Sequence, residues 1–250
     1  MSTHELGLLP GVPAVYVRSR LAAAGGSEIE SGKFYSEDSS AALAVNAFAW
    51  FHERPSQLPP LPGTEQANWP ALGVDIEYCA RFPWSGGRHP WLDALIQTES
   101  HIVGVESKRH EPFRDAKKVD FSEAYSRPVW GDRMGPYETV RDELQARTLR
   151  FEHLDAAQLV KHAFGLVTES GRTGKQPLLV YLFAEPSRWP ADAIARHRDE
   201  IAQLARTIEG AAVSFVAVCW TDWLDTWTDG STDLQAHAAE LRARFALDRS

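Results

Sequence analysis

Asp93, Glu106 and Lys108 stand on two apolar runs, Leu92-Asp93-Ala94-Leu95-Ile96 and Val105-Glu106-Ser107-Lys108, separated by the polar stretch Thr98-Glu99-Ser100-His101. Short apolar runs bounded by turn residues read as buried strands, and the brief connection reads as a hairpin. A turn centred between Glu99 and Ser100 sets Asp93 directly opposite Glu106, with Cβ atoms about 4.5–5.5 Å apart. Lys108, two residues further on, projects from the same face as Glu106. Two carboxylates side by side in apolar surroundings are costly unless a cation compensates them. A divalent metal meets that need, with the amine as a third charged member, so the expected chemistry is metal-assisted hydrolysis. Taken singly, Glu106 and Lys108 read as a strand-surface ion pair and Asp93 as a strand-start turn residue; their joint placement is what favours a site.

Several elements are needed to hold these residues. Ser36-Glu37-Asp38-Ser39-Ser40 offers helix caps ahead of the helical run Ala41–Phe51. The first 25 residues read as irregular, and Pro55, Pro59, Pro60 and Pro62 mark an extended connector. A strand is expected over Val74–Phe82, then the hairpin, then interrupted helix over 120–150. Asp155–Leu166 reads as an amphipathic helix opened by an Asp cap and followed by a Gly-rich turn. A buried strand at Pro177–Ala184, a helix at Ala191–Ile208, a strand at Ala211–Trp220 and a helix at Thr232–Phe245 follow. A meander feeding a helical crossover implies an α/β fold with a mixed central sheet flanked by helices. The expectation is a single domain over 1–250, with its core at about 38–185 and a helix-strand-helix extension at 186–250.

With 250 residues, 44% of them hydrophobic, the chain can bury a large core. No apolar run approaches the roughly 20 residues of a membrane span, and the start Met1-Ser2-Thr3-His4-Glu5-Leu6 lacks the features of a signal peptide. Cys79 and Cys219 sit in apolar runs as inert thiols, so the expected compartment is the cytoplasm. A net charge of -8 argues against coating nucleic acid by bulk electrostatics, but not against a local phosphate-binding site. The basic stretch from Lys108 to Lys118 is where nucleic-acid contact is expected to begin. A solvated loop would look much the same.

An aspartate on one strand followed by Glu-x-Lys on the next resembles the PD-(D/E)XK nuclease superfamily, the restriction-endonuclease-like fold. The resemblance spans about Ala41 to Ala184. Asp93 and Glu106-Ser107-Lys108 occupy the motif positions, while Trp91-Leu92 replace the proline of the name. The string from Ala80-Arg81-Phe82-Pro83 to Glu111-Pro112-Phe113 is similar to a bacterial subgroup of restriction endonucleases. The resemblance implies a Mg²⁺ (or Mn²⁺)-dependent endonuclease acting on DNA, with Asp93, Glu106 and the Ser107 carbonyl as metal ligands. It further implies Lys108 as the residue that orients water, and Gln158 as a polar support on the following helix. Glu77, ahead of Glu30 and Glu37, is the first choice for an additional metal-side acid. Such enzymes often pair to cut both strands, so a homodimer is a further expectation. The alternative on the same fold is a non-catalytic module that binds nucleic acid or protein; the intact acid pair and lysine argue against it.

Other signals carry less. Gly171-Arg172-Thr173-Gly174-Lys175-Gln176 follows a helix, precedes a strand and lacks Ser/Thr after the lysine, so it is a turn and not a phosphate loop. Trp220, Trp223 and Trp227 are spaced as one helix face, which fits core packing better than a stacking platform. The histidines show no zinc-binding spacing, and no serine-hydrolase elbow is present. His110 and Glu111 could extend the site, but a cap at the strand exit fits them better. Asn46 is expected to satisfy a neighbouring backbone group.

Overall fold

Three strands joined by short connections, Gly73–Cys79 (β1), Trp91–Gln97 (β2) and His101–Lys108 (β3), pair antiparallel. Gln176–Phe183 (β4) and Ser214–Cys219 (β5) then add parallel to β3, giving a mixed sheet in the order β1-β2-β3-β4-β5. A three-residue link suffices for an antiparallel pair, whereas parallel neighbours need long crossovers. Helices supply them. These observations come from a computed structural model that describes residues 7–24, 32–36, 38–84, 88–115 and 117–247. Glu30 and Glu37 lie outside the described residues.

In chain order the helices are Ala14–Ala23 (α1), Ser40–Ala49 (α2), Glu111–Arg114 (α3), Gly135–Ala146 (α4), Ala156–Thr173 (α5), Ala191–Thr207 (α6), Trp220–Asp225 (α7) and Thr232–Phe245 (α8). Strand alternation sorts them into two layers. Ala94, Ile96, Val103, Val105, Leu178 and Val180 face α2, α7 and α8, while Ile102, Leu179 and Tyr181 face α4, α5 and α6. α2 is buried at eight of its ten positions, which suits its nearly unbroken apolar sequence, and the Ser39 hydroxyl caps it by accepting from the Ala42 N–H. Asn46, inside α2, accepts from the Leu9 N–H at 2.7 Å and so ties down the N-terminal segment. Trp220, Trp223 and Trp227 are all fully buried, packed with Phe48 and Phe51 of the α2 layer. They are core, not a stacking platform.

Three local expectations are corrected. α1 forms within the stretch read as irregular, because tertiary contacts substitute for a weak apolar period: Val17 and Leu21 are buried, and Arg20 donates to the Ile76 and Glu77 carbonyls. α5 continues past Leu166 to Thr173, where Gly174 ends it in the left-handed region at φ 69°. The last strand is shorter than Ala211–Trp220, because Trp220 opens α7.

Gly104 governs how closely α5 approaches β3. A Cβ there would lie 2.8 Å from both Leu166 methyl carbons and 3.0 Å from Leu92 Cδ1. Gly104→Val should therefore lower unfolding stability by about 1–3 kcal/mol, read from urea titration; unchanged stability would contradict this close approach.

His197 and His237 are buried and neutral, the first beside the Tyr181 hydroxyl and the second against the Asn46 carbonyl. Burial lowers the His237 pKa to about 4, helped by Arg54 and opposed by the Asn46 bond. The unfolded chain thus binds the proton first as pH falls, so the stability His237 confers is complete above about 6.5 and is lost toward about 4. His237→Gln keeps a side-chain donor for Asn46 and should show a shallower fall in Tm than wild type between about pH 7 and 5. Parallel slopes would count against this.

Candidate active site

The β2–β3 ladder pairs Gln97 with Ile102, Ile96 with Val103, Leu95 with Gly104 and Ala94 with Val105. One further step sets Asp93 opposite Glu106, the register expected from a turn between Glu99 and Ser100. There the ladder changes character. The Asp93 carboxylate accepts the Ser107 N–H at 2.6 Å in place of a main-chain partner. The two backbone groups of a strand residue project toward the same neighbouring strand, and the Lys108 carbonyl bonds to Ala184 on the β4 side. The Ser107 carbonyl is consequently directed to the Asp93 side. Its hydroxyl lies on the opposite face, accepting from the Trp220 indole at 3.3 Å.

Glu106 is 2% exposed and Lys108 is mostly buried, on the α5 face of β3. The Lys108 ammonium contacts Glu106 Oε1 as a close ion pair. Glu106 Oε2 lies 3.3 Å from His162 Nδ1 of α5. α5 runs antiparallel to β3, and two strand residues advance about as far as four helix residues. Gly104 meets Leu166 and Glu106 meets His162; Gln158 lies one helical turn before His162 on the same face of α5. The Gln158 N–H is capped by Asp155 Oδ1 at 3.0 Å.

Glu77 lies between the pairs Ile76–Ala94 and Tyr78–Leu92, opposite Asp93 on the other edge of β2. Its φ is 44°, unusual for a residue with a Cβ and worth about 1–3 kcal/mol of strain. Both strands roll over here: Ile76 and Ala94 join the α2-side core, while Tyr78 and Leu92 join the α5-side core. Arg20 clamps the kink through the Ile76 and Glu77 carbonyls at 2.9 and 2.7 Å.

Glu111 completes the surroundings. Its Oε2 accepts the Arg109 and His110 N–H groups at 2.9 and 3.0 Å, and its Oε1 accepts the Ser40 hydroxyl at 2.6 Å. It is a strand-exit cap, as expected, and it also fastens β3 to the N-terminus of α2. With Lys108, Lys117, Asp155 and Tyr181 it lines a hollow of ≈ 130 Å³ at the C-terminal ends of β3 and β4.

Proton affinities show the imbalance of charge. Burial raises Asp93 well above the usual carboxylate range, reinforced by the negative charge of Glu106 and opposed by Lys108 and the Ser107 N–H. Burial likewise pushes Glu106 up to about 7, against the pull of Lys108. Burial alone would lower Lys108, but Glu106 and Asp93 outweigh it and hold the ammonium charged. Burial and the adjacent Lys108 lower His162 to about 3, so the ring is neutral. Glu111, though burial works against it, is kept ionised by the Ser40 hydroxyl and the Arg109 N–H. One lysine therefore does not balance the two carboxylates that face it.

This donor set suits a hard cation. Among the described residues no three His, Cys, Asp or Glu side chains form a preassembled cage, which does not suit a structural zinc site. Two carboxylates and a carbonyl instead match Mg²⁺, which keeps several waters and completes its shell with substrate phosphate.

A family model described as "Restriction Endonuclease associating with ARP" matches residues 12–246. The chain belongs to this family. No curated protein and no solved structure matches it. Membership in a restriction-endonuclease family agrees with the mixed five-stranded sheet, and among the described residues no helix is long and apolar enough to cross a membrane.

One neighbour of the site in this restriction-endonuclease-family chain, His162, is not assigned by sequence pattern alone. His162 was legible in principle as the residue four beyond Gln158, on the same helix face. Glu111 reads in the sequence as a strand-exit cap that could also extend the site; its nearness to Lys108 follows from α3 turning back against α2, which no local pattern reports.

Proposed function

We propose that the chain is a Mg²⁺ (or Mn²⁺)-dependent endonuclease that hydrolyses DNA phosphodiester bonds. The observation that carries this reading is the buried Asp93–Glu106 pair, short of positive charge and flanked by a charged lysine at the open end of β3. Asp93, Glu106 and the Ser107 carbonyl would hold the cation; Glu77, on the neighbouring strand, does not close a three-carboxylate cage with them. When bound, the cation supplies Lewis-acid polarisation of the scissile phosphate and lowers the pKa of water.

The protein's own groups do the rest. Lys108 donates to the attacking water and offsets the charge that grows on the phosphoryl oxygens. Gln158 supports that water or a phosphate oxygen from the first turns of α5. His162, neutral and wedged against Glu106 Oε2, holds the carboxylate in place. The Ser107 N–H fixes the orientation of Asp93. Action as a homodimer and association with the ARP partner of the family description belong to the same proposal.

The test is incubation of wild-type protein with plasmid DNA in Mg²⁺ or Mn²⁺ and in EDTA. Cleavage that needs the ion and stops on its removal is expected; equal nicking in EDTA, or no cleavage with either metal, would contradict the proposal.

A further inference from the structure

A second, larger cleft adjoins the hollow beside Lys108. It has a volume of ≈ 510 Å³ and shares two wall residues, Lys117 and Asp155, with that hollow. Four cations line it: Lys117, Lys118, Arg147 and Arg150. Asp155 is the only acid among its lining residues, and that carboxylate is engaged in capping α5. A cleft with four cations and one acid stands out in a chain whose net charge is -8. Lys118, Arg147 and Arg150 are exposed, and Phe151 forms part of an apolar wall.

The geometry holds these charges toward the cleft. Gly131 to Met134 leads into α4, whose C-terminal turn ends at Arg147 in the left-handed region with φ 62°. That reversal brings Arg147 and Arg150 together, with the Arg150 guanidinium donating to the Arg147 carbonyl at 3.3 Å. Lys117 arrives from the other side, donating to the Glu111 and Asp115 carbonyls at 2.5 and 2.6 Å. Glu111 and Asp115 also line the small hollow, so Lys117 bridges the hollow and the cleft. Lys118 has Asp120 at 3.8 Å, a loose and exposed pair that leaves it available to a stronger anion.

The geometry points to this cleft as the track for the sugar-phosphate backbone of the DNA strand being cut, with Lys117 handing the backbone to Lys108. Phosphate contacts position a nucleic acid without reading its sequence, so the cleft governs affinity and register rather than base choice. The inference rests on the nuclease reading for its direction, but the binding it describes can be measured without cleavage.

The test uses the full chain and a fluorescent DNA duplex in EDTA, where binding is read by anisotropy across a salt series. Each backbone phosphate contact contributes about 0.9 to the slope of log affinity against log salt. The triple variant Lys118→Ala/Arg147→Ala/Arg150→Ala should flatten that slope by about 2–3 and weaken binding at low salt at least tenfold. Arg18→Ala, a half-buried change on α1 at the opposite face of the sheet, should leave both unchanged. An unaltered slope in a triple variant that keeps the wild-type circular dichroism and Tm would overturn the track, whatever the nuclease assay shows. Loss of binding in the triple variant, with a wild type that never cleaves, would keep the track and remove the nuclease reading. A single-stranded RNA that binds as tightly as the duplex with the same dependence on the three cations would overturn the choice of DNA.

Discussion

Lys108→Ala should slow Mg²⁺-dependent DNA cleavage by about 10²–10³-fold, the usual loss when one group that stabilises a transition state is removed from a buried site. The effect is expected in turnover rather than in DNA affinity, because the phosphate contacts of the neighbouring cleft are untouched. Lys108→Ala also removes the cation that faces Glu106, so the carboxylate is left with His162 and Asp93 as close charged or polar company. Its proton affinity should rise further, and the metal-free variant should lose stability at high pH more steeply than wild type. Single-turnover cleavage, alongside circular dichroism to verify folding, checks the prediction. Cleavage within threefold of wild type would remove Lys108 from the chemistry and leave it as an ordinary partner of Glu106.

Asp93→Asn should abolish the stabilisation that a divalent ion confers, and cleavage with it. For wild type, an ion at a hundredfold excess over Kd stabilises by about 2.7 kcal/mol, which corresponds to a Tm rise of about 5–10 °C for a chain of this size. The sign of the pH dependence follows from Glu106. Its folded pKa is raised from 4.5 to about 7, so without metal its contribution to stability is complete below about 4.5 and is lost as pH rises through about 7. The cation replaces that proton. Apparent Mg²⁺ affinity should therefore fall about tenfold from pH 8 to pH 6, and the Tm gain from metal should be larger at the higher pH. Asn at position 93 keeps an acceptor for the Ser107 N–H, so its metal-free Tm should stay near that of wild type or above it. A Tm gain in Asp93→Asn equal to that of wild type would place the ion elsewhere.

The β2–β3 hairpin was the most legible part of the chain, for a physical reason. With only three residues between β2 and β3, the turn leaves little freedom in register, and a one-residue slip would carry Glu106 and Lys108 to the opposite face. The crossover helix was equally plain, since Asp155 opens it and its apolar face recurs at the helical period. What local pattern could not report was anything decided by distant packing. α1 exists because β1 offers carbonyls to Arg20. The roll of β1 and β2 at Glu77 and Asp93 is a backbone event, invisible in alternation alone. His162 reaches Glu106 only because Gly104 lets α5 settle close to β3. Basic residues were noticed from Lys108 to Lys118, but Arg147 and Arg150 join them only through the turn that follows α4.

The most direct test is diffraction from crystals soaked in Mn²⁺, with the ion located by its anomalous signal. The account predicts one ion bound by the carboxylates of Asp93 and Glu106 and by the Ser107 carbonyl, lost in Asp93→Asn. A fully occupied ion bound to other residues, or none between these carboxylates under conditions where the protein cleaves DNA, would contradict it.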